Sequence, residues 1–230
     1  PVVEAVHGGI APGKVGEIAT RYPLATRVFN RHNIDFCCGG GVALAAACEK
    51  RGLDTDAVLD ELARTLAAPG AGEAKRWDEA PVADLVRHIV DTFHTPLREE
   101  LPRLESMTRK VHRVHYDKDP ERLTALLESF LRLKAEVDEH MDEEEKTLFP
   151  EILAGAADPS RPVAAFVHDH ELVGAELARI RELTDDFRVP AVACSTWNAL
   201  WHGLAALETD LHEHIHLENN VLFPRASAAC

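Results

Sequence analysis

Apolar residues recur in steps of three and four along four long stretches of the chain, the spacing that lines one face of an α-helix. The first stretch runs from Val82 to His115, with Val90, His94, Leu97, Leu101 and Leu104 on its stripe and interruptions at Pro96 and Pro102. The second runs from Pro120 to Leu153 through Leu126, Phe130, Leu133, Val137, His140, Glu144 and Leu148. The third runs from Pro162 to Thr184 through Phe166, His170, Val173, Leu177 and Ile180. The fourth starts at Pro190 or Ala191, ends at Phe223, and carries Leu200, Leu204, Leu207, Leu211, His214, Glu218 and Leu222. Asp119-Pro120 supplies a cap and first turn for the second stretch. Short connections between long helices favour antiparallel neighbours, so the pattern predicts an up-down four-helix bundle.

Ahead of these stretches the pattern is shorter. Val15 to Arg21 stops at Pro23, Ala25 to Arg31 follows, and the turn Asp35-Phe36-Cys37-Cys38-Gly39-Gly40-Gly41 leads into Val42 to Lys50 and Asp56 to Leu66. No segment alternates apolar and polar residues in the manner of a strand. The small-residue, Gly/Pro stretch Ala67-Ala68-Pro69-Gly70-Ala71-Gly72-Glu73 reads as a linker. The expectation is an all-α protein: a small helical domain over residues 1–68, a linker over 69–80 and the bundle over 81–230.

Composition narrows the function. The 230 residues are 46% apolar and 28% charged, ordinary for a soluble globular protein, and the net charge of −14 repels phosphate backbones. Nucleic acid is therefore not an expected partner. The longest apolar run, Val42 to Cys48, falls far short of the roughly 20 residues that cross a bilayer, so a membrane is not expected either. Pro1-Val2-Val3-Glu4 carries no leader pattern, and Cys37, Cys38, Cys48, Cys194 and Cys230 are odd in number, which suits a reducing cytoplasm.

The chemistry lies in the polar residues on the apolar stripes. Each long helix points a His inward (His94, His140, His170, His214), and two add Glu144 and Glu218 one turn later. Buried carboxylates and imidazoles are costly unless paired or bound to a cation, and metal is the simplest compensation for these ligand types. The run His140-x3-Glu144-x3-Leu148-Phe149-Pro150 recurs as His214-x3-Glu218-x3-Leu222-Phe223-Pro224, and His94 and His170 stand in similar relation. The bundle thus reads as two copies of a helix pair, with His and Glu at i and i+4 on one face. Each Leu-Phe-Pro is expected to bury two side chains and stop its helix. Two roughly six-coordinate ions would take two bridging carboxylates and four His, leaving positions for a shared oxo or hydroxo bridge and outside ligands. Zinc, manganese and cobalt are accepted by the same ligand types as iron.

These residues resemble the hemerythrin-like (HHE cation-binding) bundle. The run His214-Ile215-His216-Leu217-Glu218-Asn219-Asn220-Val221-Leu222-Phe223-Pro224-Arg225-Ala226 is similar to the last helix of the RIC (repair of iron centres; YtfE/ScdA-type) proteins. Asp35-Phe36-Cys37-Cys38-Gly39-Gly40 resembles the Cys-Cys-Gly-Gly signature of the ScdA-type domain that precedes the bundle in that family. The resemblance implies a cytoplasmic non-heme di-iron protein that repairs iron–sulfur clusters damaged by nitric oxide or peroxide, by iron donation or NO removal. It implies two Fe ions on His94, His140, Glu144, His170, His214 and Glu218, with both Glu bridging. The implied partners are damaged iron–sulfur proteins and the small ligands NO or O₂. The electron donor and the oligomeric state, a homodimer included, stay open. The rival readings are an O₂ or NO carrier or sensor, and a metal-free docking bundle.

The remaining residues carry smaller expectations. Thr95-Pro96 after His94 is expected to kink or restart the first helix, with His88 as the fallback ligand. His168, His212 and His216 are expected to be solvated, as are Glu143 and Glu145. His112 and His115 suit a helix C-terminus. Cys37 and Cys38, ahead of a helix start, are expected to have lowered pKa values and a redox or transfer role. Cys48 and Cys194 are read as structural, and Cys230 as a tail residue.

Overall fold

A computed structural model of the chain describes residues 10, 12–68, 74–155 and 162–228. The leader tested at Pro1-Val2-Val3-Glu4, linker residues 69–73 and Cys230 lie outside the described residues. Among the described residues there is no strand, only an isolated antiparallel bridge between Lys14 and Ala43. None of their helices is long and apolar enough to cross a membrane. The chain folds as two compact units, one of Pro1–Leu85 with His212–Cys230 and the other of Val86–Leu211.

In the first unit, α1 (Val15–Arg21), α2 (Ala25–Arg31), α3 (Leu44–Arg51) and α4 (Thr55–Leu66) close on one apolar core. Val15, Val28, Phe29, Phe36, Leu44, Cys48 and Leu62 are all fully buried there. The helix expected from Val42 starts at Leu44, and Val42 stays exposed. Gly52 ends α3 at φ +67°, and the Leu53 N–H returns to the Cys48 carbonyl at 2.9 Å, which satisfies an orphaned helix-end acceptor. Asp54 then caps α4 by accepting from the Asp56 N–H at 3.0 Å.

Leading into the second unit, α5 (Val82–Ile89) runs through a π turn (Val90–His94) into α6 (Thr95–His115). Then come α7 (Pro120–Glu143), a π turn (Glu144–Leu148) and α8 (Phe149–Leu153), followed by α9 (Val163–Leu183). The last rod starts in this unit as α10 (Ser195–Leu217), and from His212 on it belongs to the first unit, with a π turn (Glu218–Leu222) and α11 (Phe223–Ala228). As the pattern predicts, Asp119 caps α7, accepting from the Arg122 N–H at 3.2 Å. Side-chain partners run in opposite order along α6 and α7 (His112 with Thr124, Glu105 with Lys134), along α7 and α9 (Ser129 with Glu176, His140 with His170), and along α9 and α10 (Arg181 with Glu208, Thr184 with Trp201). The bundle is therefore up-down-up-down, as expected. The stripes of the second, third and fourth helices are buried throughout.

Three expectations need correction. Val90 is only half-buried and Ile89 takes its place, because the π turn puts residues five apart on one face. The Leu-Phe-Pro sequences bury Leu148, Phe149, Leu222 and Phe223 but do not stop their helices, which continue as α8 and α11. The fourth helix starts at Ser195, since residues 190–193 form a turn closed by the Ala193 N–H on the Pro190 carbonyl at 2.9 Å.

Beyond α9, Asp185, Asp186 and Phe187 all adopt left-handed φ (+52°, +55°, +57°). Arg181 holds this strained corner, with Nη1 3.0 Å from Asp186 and its guanidinium over the Phe187 ring. The same guanidinium makes a bidentate pair with buried Glu208 on α10, Nε to Oε1 at 2.9 Å. Arg181→Met strands that carboxylate and is expected to cost about 3–5 kcal/mol, while Arg181→Met with Glu208→Leu recovers most of it. Urea unfolding of the two variants checks this, and equal stability losses in both would refute it.

Candidate metal centre

His94 is the last residue of its π turn, whereas Glu144 and Glu218 are the first residues of theirs. Each turn is closed by a backbone bond spanning five residues: Thr95 N–H to Val90 O, Phe149 N–H to Glu144 O and Phe223 N–H to Glu218 O. A proline follows two residues later each time, as Pro96, Pro150 and Pro224. A proline has no N–H to give and its ring clashes with the carbonyl four residues back, and the wider turn moves that carbonyl aside. The expected kink at Thr95-Pro96 is thus a π turn in a continuous rod, and His94 keeps its inward position, fully buried.

In the second unit, His94 Nε2 lies 3.5 Å from Glu144 Oε2, and His140 Nε2 lies 3.2 Å from Glu144 Oε1. His140 Nε2 and His170 Nε2 are 2.7 Å apart. In the first unit, His214 Nε2 lies 2.8 Å from Glu218 Oε1. Within the second unit, ligand atoms of His140, Glu144 and His170 all lie within 4.8 Å of one another, and so do those of His94 and Glu144. The donor set fits a cation. Glu144 is fully buried, and neither of its carboxylate oxygens receives a hydrogen bond. Two imidazole nitrogens that close to each other repel unless a proton or a positive ion lies between their lone pairs.

A hemerythrin HHE cation binding domain profile matches residues 85–226, and ScdA_N, described as a domain of unknown function (DUF542), matches residues 12–66. The iron-sulfur cluster repair protein YtfE of Musicola paradisiaca is 44% identical over 215 residues, which is 92% of this chain and 95% of that protein. Those of Pectobacterium atrosepticum and Yersinia pseudotuberculosis are each 41% identical, with the same coverage. The chain belongs to the YtfE family. Its bundle is a hemerythrin HHE domain, and the buried His/Glu group of this YtfE-family chain suits iron.

Around that group, Glu145 overturns its expected solvated role. Its Oε1 accepts from His94 Nδ1 and from Arg98 Nη2, both at 2.9 Å. Partial burial pushes its carboxyl up, but the hydrogen bonds and charges of Arg98 and His94 prevail and hold it below the usual range. Arg98 is itself fixed by Asp142 at 2.9 Å. Asp169 lies 3.5 Å from His140 Nδ1. A carboxylate behind a ligating imidazole orients the ring and raises its basicity. No local signal in the sequence marks Glu145, since its partners His94 and Arg98 lie on another rod. His88 belongs to neither group, and its Nδ1 lies 2.9 Å from Thr92 Oγ1.

His168 is exposed, as expected, but His216 is buried. Burial lowers its pKa to about 4, and its Nδ1 donates to the Phe36 carbonyl at 3.2 Å. His212 is half-buried, edge-on to the Phe36 ring. Cys37 also departs from expectation. Its Sγ is buried 3.9 Å from Cys38 Sγ and 3.4 Å from Asp35 Oδ1, and contact with Cys38, burial and the Asp35 charge raise its pKa well above the ordinary thiol value. Cys48 is packing, as read. Cys194 is exposed rather than structural. The Trp197 backbone N–H and His115 Nε2, 3.3 Å from its Sγ, lower it to about 7. In this YtfE-family chain, Cys194 should therefore be alkylated at neutral pH well ahead of Cys37 and Cys48, with a midpoint near 7. His115→Ala should move that midpoint upward, and rate–pH profiles read by peptide mass spectrometry check both statements.

Proposed function

We propose that this protein repairs damaged iron–sulfur clusters by means of a non-heme di-iron site, through iron donation or NO removal. His94 and His214 would hold one ion, and His140 and His170 the other. Glu144 and Glu218 would bridge them. The supporting observations lie within each unit: His94 and His140 approach the fully buried Glu144 with His170 beside His140, and His214 Nε2 meets the equally buried Glu218 at 2.8 Å. When bound, the irons supply electron exchange and open coordination positions for small ligands such as NO or O₂.

The protein's own residues do the rest. Four protein ligands per ion would leave each one short of six, so the site would stay open to exchange instead of closing as a structural site does. The apolar stripes next to the ligands, Val137 and Leu148 on one rod and Leu211 and Leu222 on another, keep bulk water from the carboxylates. Glu145 fixes the His94 ring. In the helical domain of residues 1–68, Cys37 and Cys38 are the candidates for thiol or electron exchange with the client, whose class is the damaged iron–sulfur protein that the relatives' names give.

Protein reconstituted with ferrous iron should bind about two ions per chain, and Glu144→Ala well under one, with helix content unchanged. Metal analysis and absorption spectra of the pair measure this. Restoration of an NO-damaged [4Fe–4S] enzyme should follow iron content. Wild-type protein holding less than one iron, or showing a reversible O₂ spectrum without restoration, would overturn the reading. Glu145→Ala should keep the fold and weaken iron retention about 10–100-fold in chelator competition.

A further inference from the structure

The Cys-Cys-Gly-Gly turn is folded by Asp35, whose Oδ1 accepts from the Cys37 N–H at 3.0 Å and the Cys38 N–H at 3.1 Å. The carbonyls on the other side of the turn bond to side chains from the last rod. Asn220 Nδ2 donates to Cys37 O at 3.1 Å and to Phe36 O at 3.3 Å, and His216 Nδ1 donates to the same Phe36 carbonyl. His216 and Asn220 stand two residues either side of Glu218, and Asn220 lies within the π turn that Glu218 opens. The fully buried Phe36 ring packs edge-on against His216 at 5.5 Å.

Two glycines make this approach achievable. A Cβ on Gly16 would lie 2.5 Å from Asn220 Oδ1, and a Cβ on Gly40 would lie 2.9 Å from Gly16 Cα. The Gly16 N–H donates to the Gly40 carbonyl at 2.8 Å. The dithiol turn is thus clamped through Asn220 to the turn carrying Glu218.

We propose that Asn220 is a positioning residue that ties the burial of the Cys37 thiol to the state of Glu218, so that metal held by Glu218 tightens this clamp over the dithiol and metal loss loosens it without undoing it. The proposal rests on the reading of Glu218 as a ligand. A buried thiol reacts only when its surroundings open locally. Fixing Glu218 on a cation stiffens the π turn, and the two Asn220 hydrogen bonds pass that stiffness to the Phe36–Cys37 backbone. The dithiol would then meet a client after iron has left.

The test is anaerobic iodoacetamide alkylation of the full chain carrying Cys194→Ser, with and without ferrous iron, each cysteine being read by peptide mass spectrometry. Iron loading should slow Cys37 alkylation in the parent protein. Asn220→Asp, which keeps the shape but removes the donor, and Asn220→Ala should each speed it about tenfold or more. Both should abolish the protection by iron while keeping the parent's iron content and circular dichroism. Protection surviving in both variants overturns the proposal, and so does an iron-loaded parent alkylated as fast as the iron-free one. If the parent takes up no iron, the metal reading fails by itself. The iron-free comparison still decides the clamp, since equal Cys37 rates in parent and variants refute it.

Discussion

Glu144 is the constraint on which the bundle turns. It is a carboxylate with no solvent exposure and no hydrogen-bond donor at either oxygen. In an apolar interior an uncompensated carboxylate costs several kcal/mol even after the surroundings relax. A cation satisfies the carboxylate and the imidazole lone pairs together. The stripes, the four rods and the His94 ring held by Glu145 are arranged around that requirement.

The three π turns show how local backbone chemistry serves the same end. Each precedes an X-Pro step, and each sits at a residue with a candidate ligand role. Proline in mid-helix would ordinarily break the rod. Here the extra residue in the turn absorbs the missing hydrogen bond and lets the rod continue, while re-aiming the face that carries His94, Glu144 or Glu218.

Much of this was legible in the sequence, for identifiable reasons. Burying one helix face imposes the three-and-four spacing, so the four rods and their inward stripes could be read directly, and the repeated His-x3-Glu marked the polar exceptions. What was not legible depended on local geometry or on distant partners. Val90 was misplaced because a π turn changes the period, and the Leu-Phe-Pro steps looked like stops because proline usually is one. His216 looked solvated because its neighbour, the Phe36 carbonyl, is 180 positions away in sequence. Glu145 looked like part of an acidic surface because its partner His94 lies on another rod. Cys37 looked activated by a helix start, but contact with Cys38, burial and the Asp35 charge act on its sulfur instead.

The Arg181–Glu208 pair and the Trp201–Thr184 hydrogen bond lie at one end of the second unit, and His170 is eleven residues along α9 from Arg181. At 1.5 Å per residue, that separation is about 16 Å. This polar fastening is therefore remote from His170. Under the proposed function such a division of labour would matter: the ligand end could be emptied and refilled while the far end keeps the rods in register, much as a clothes peg opens without coming apart.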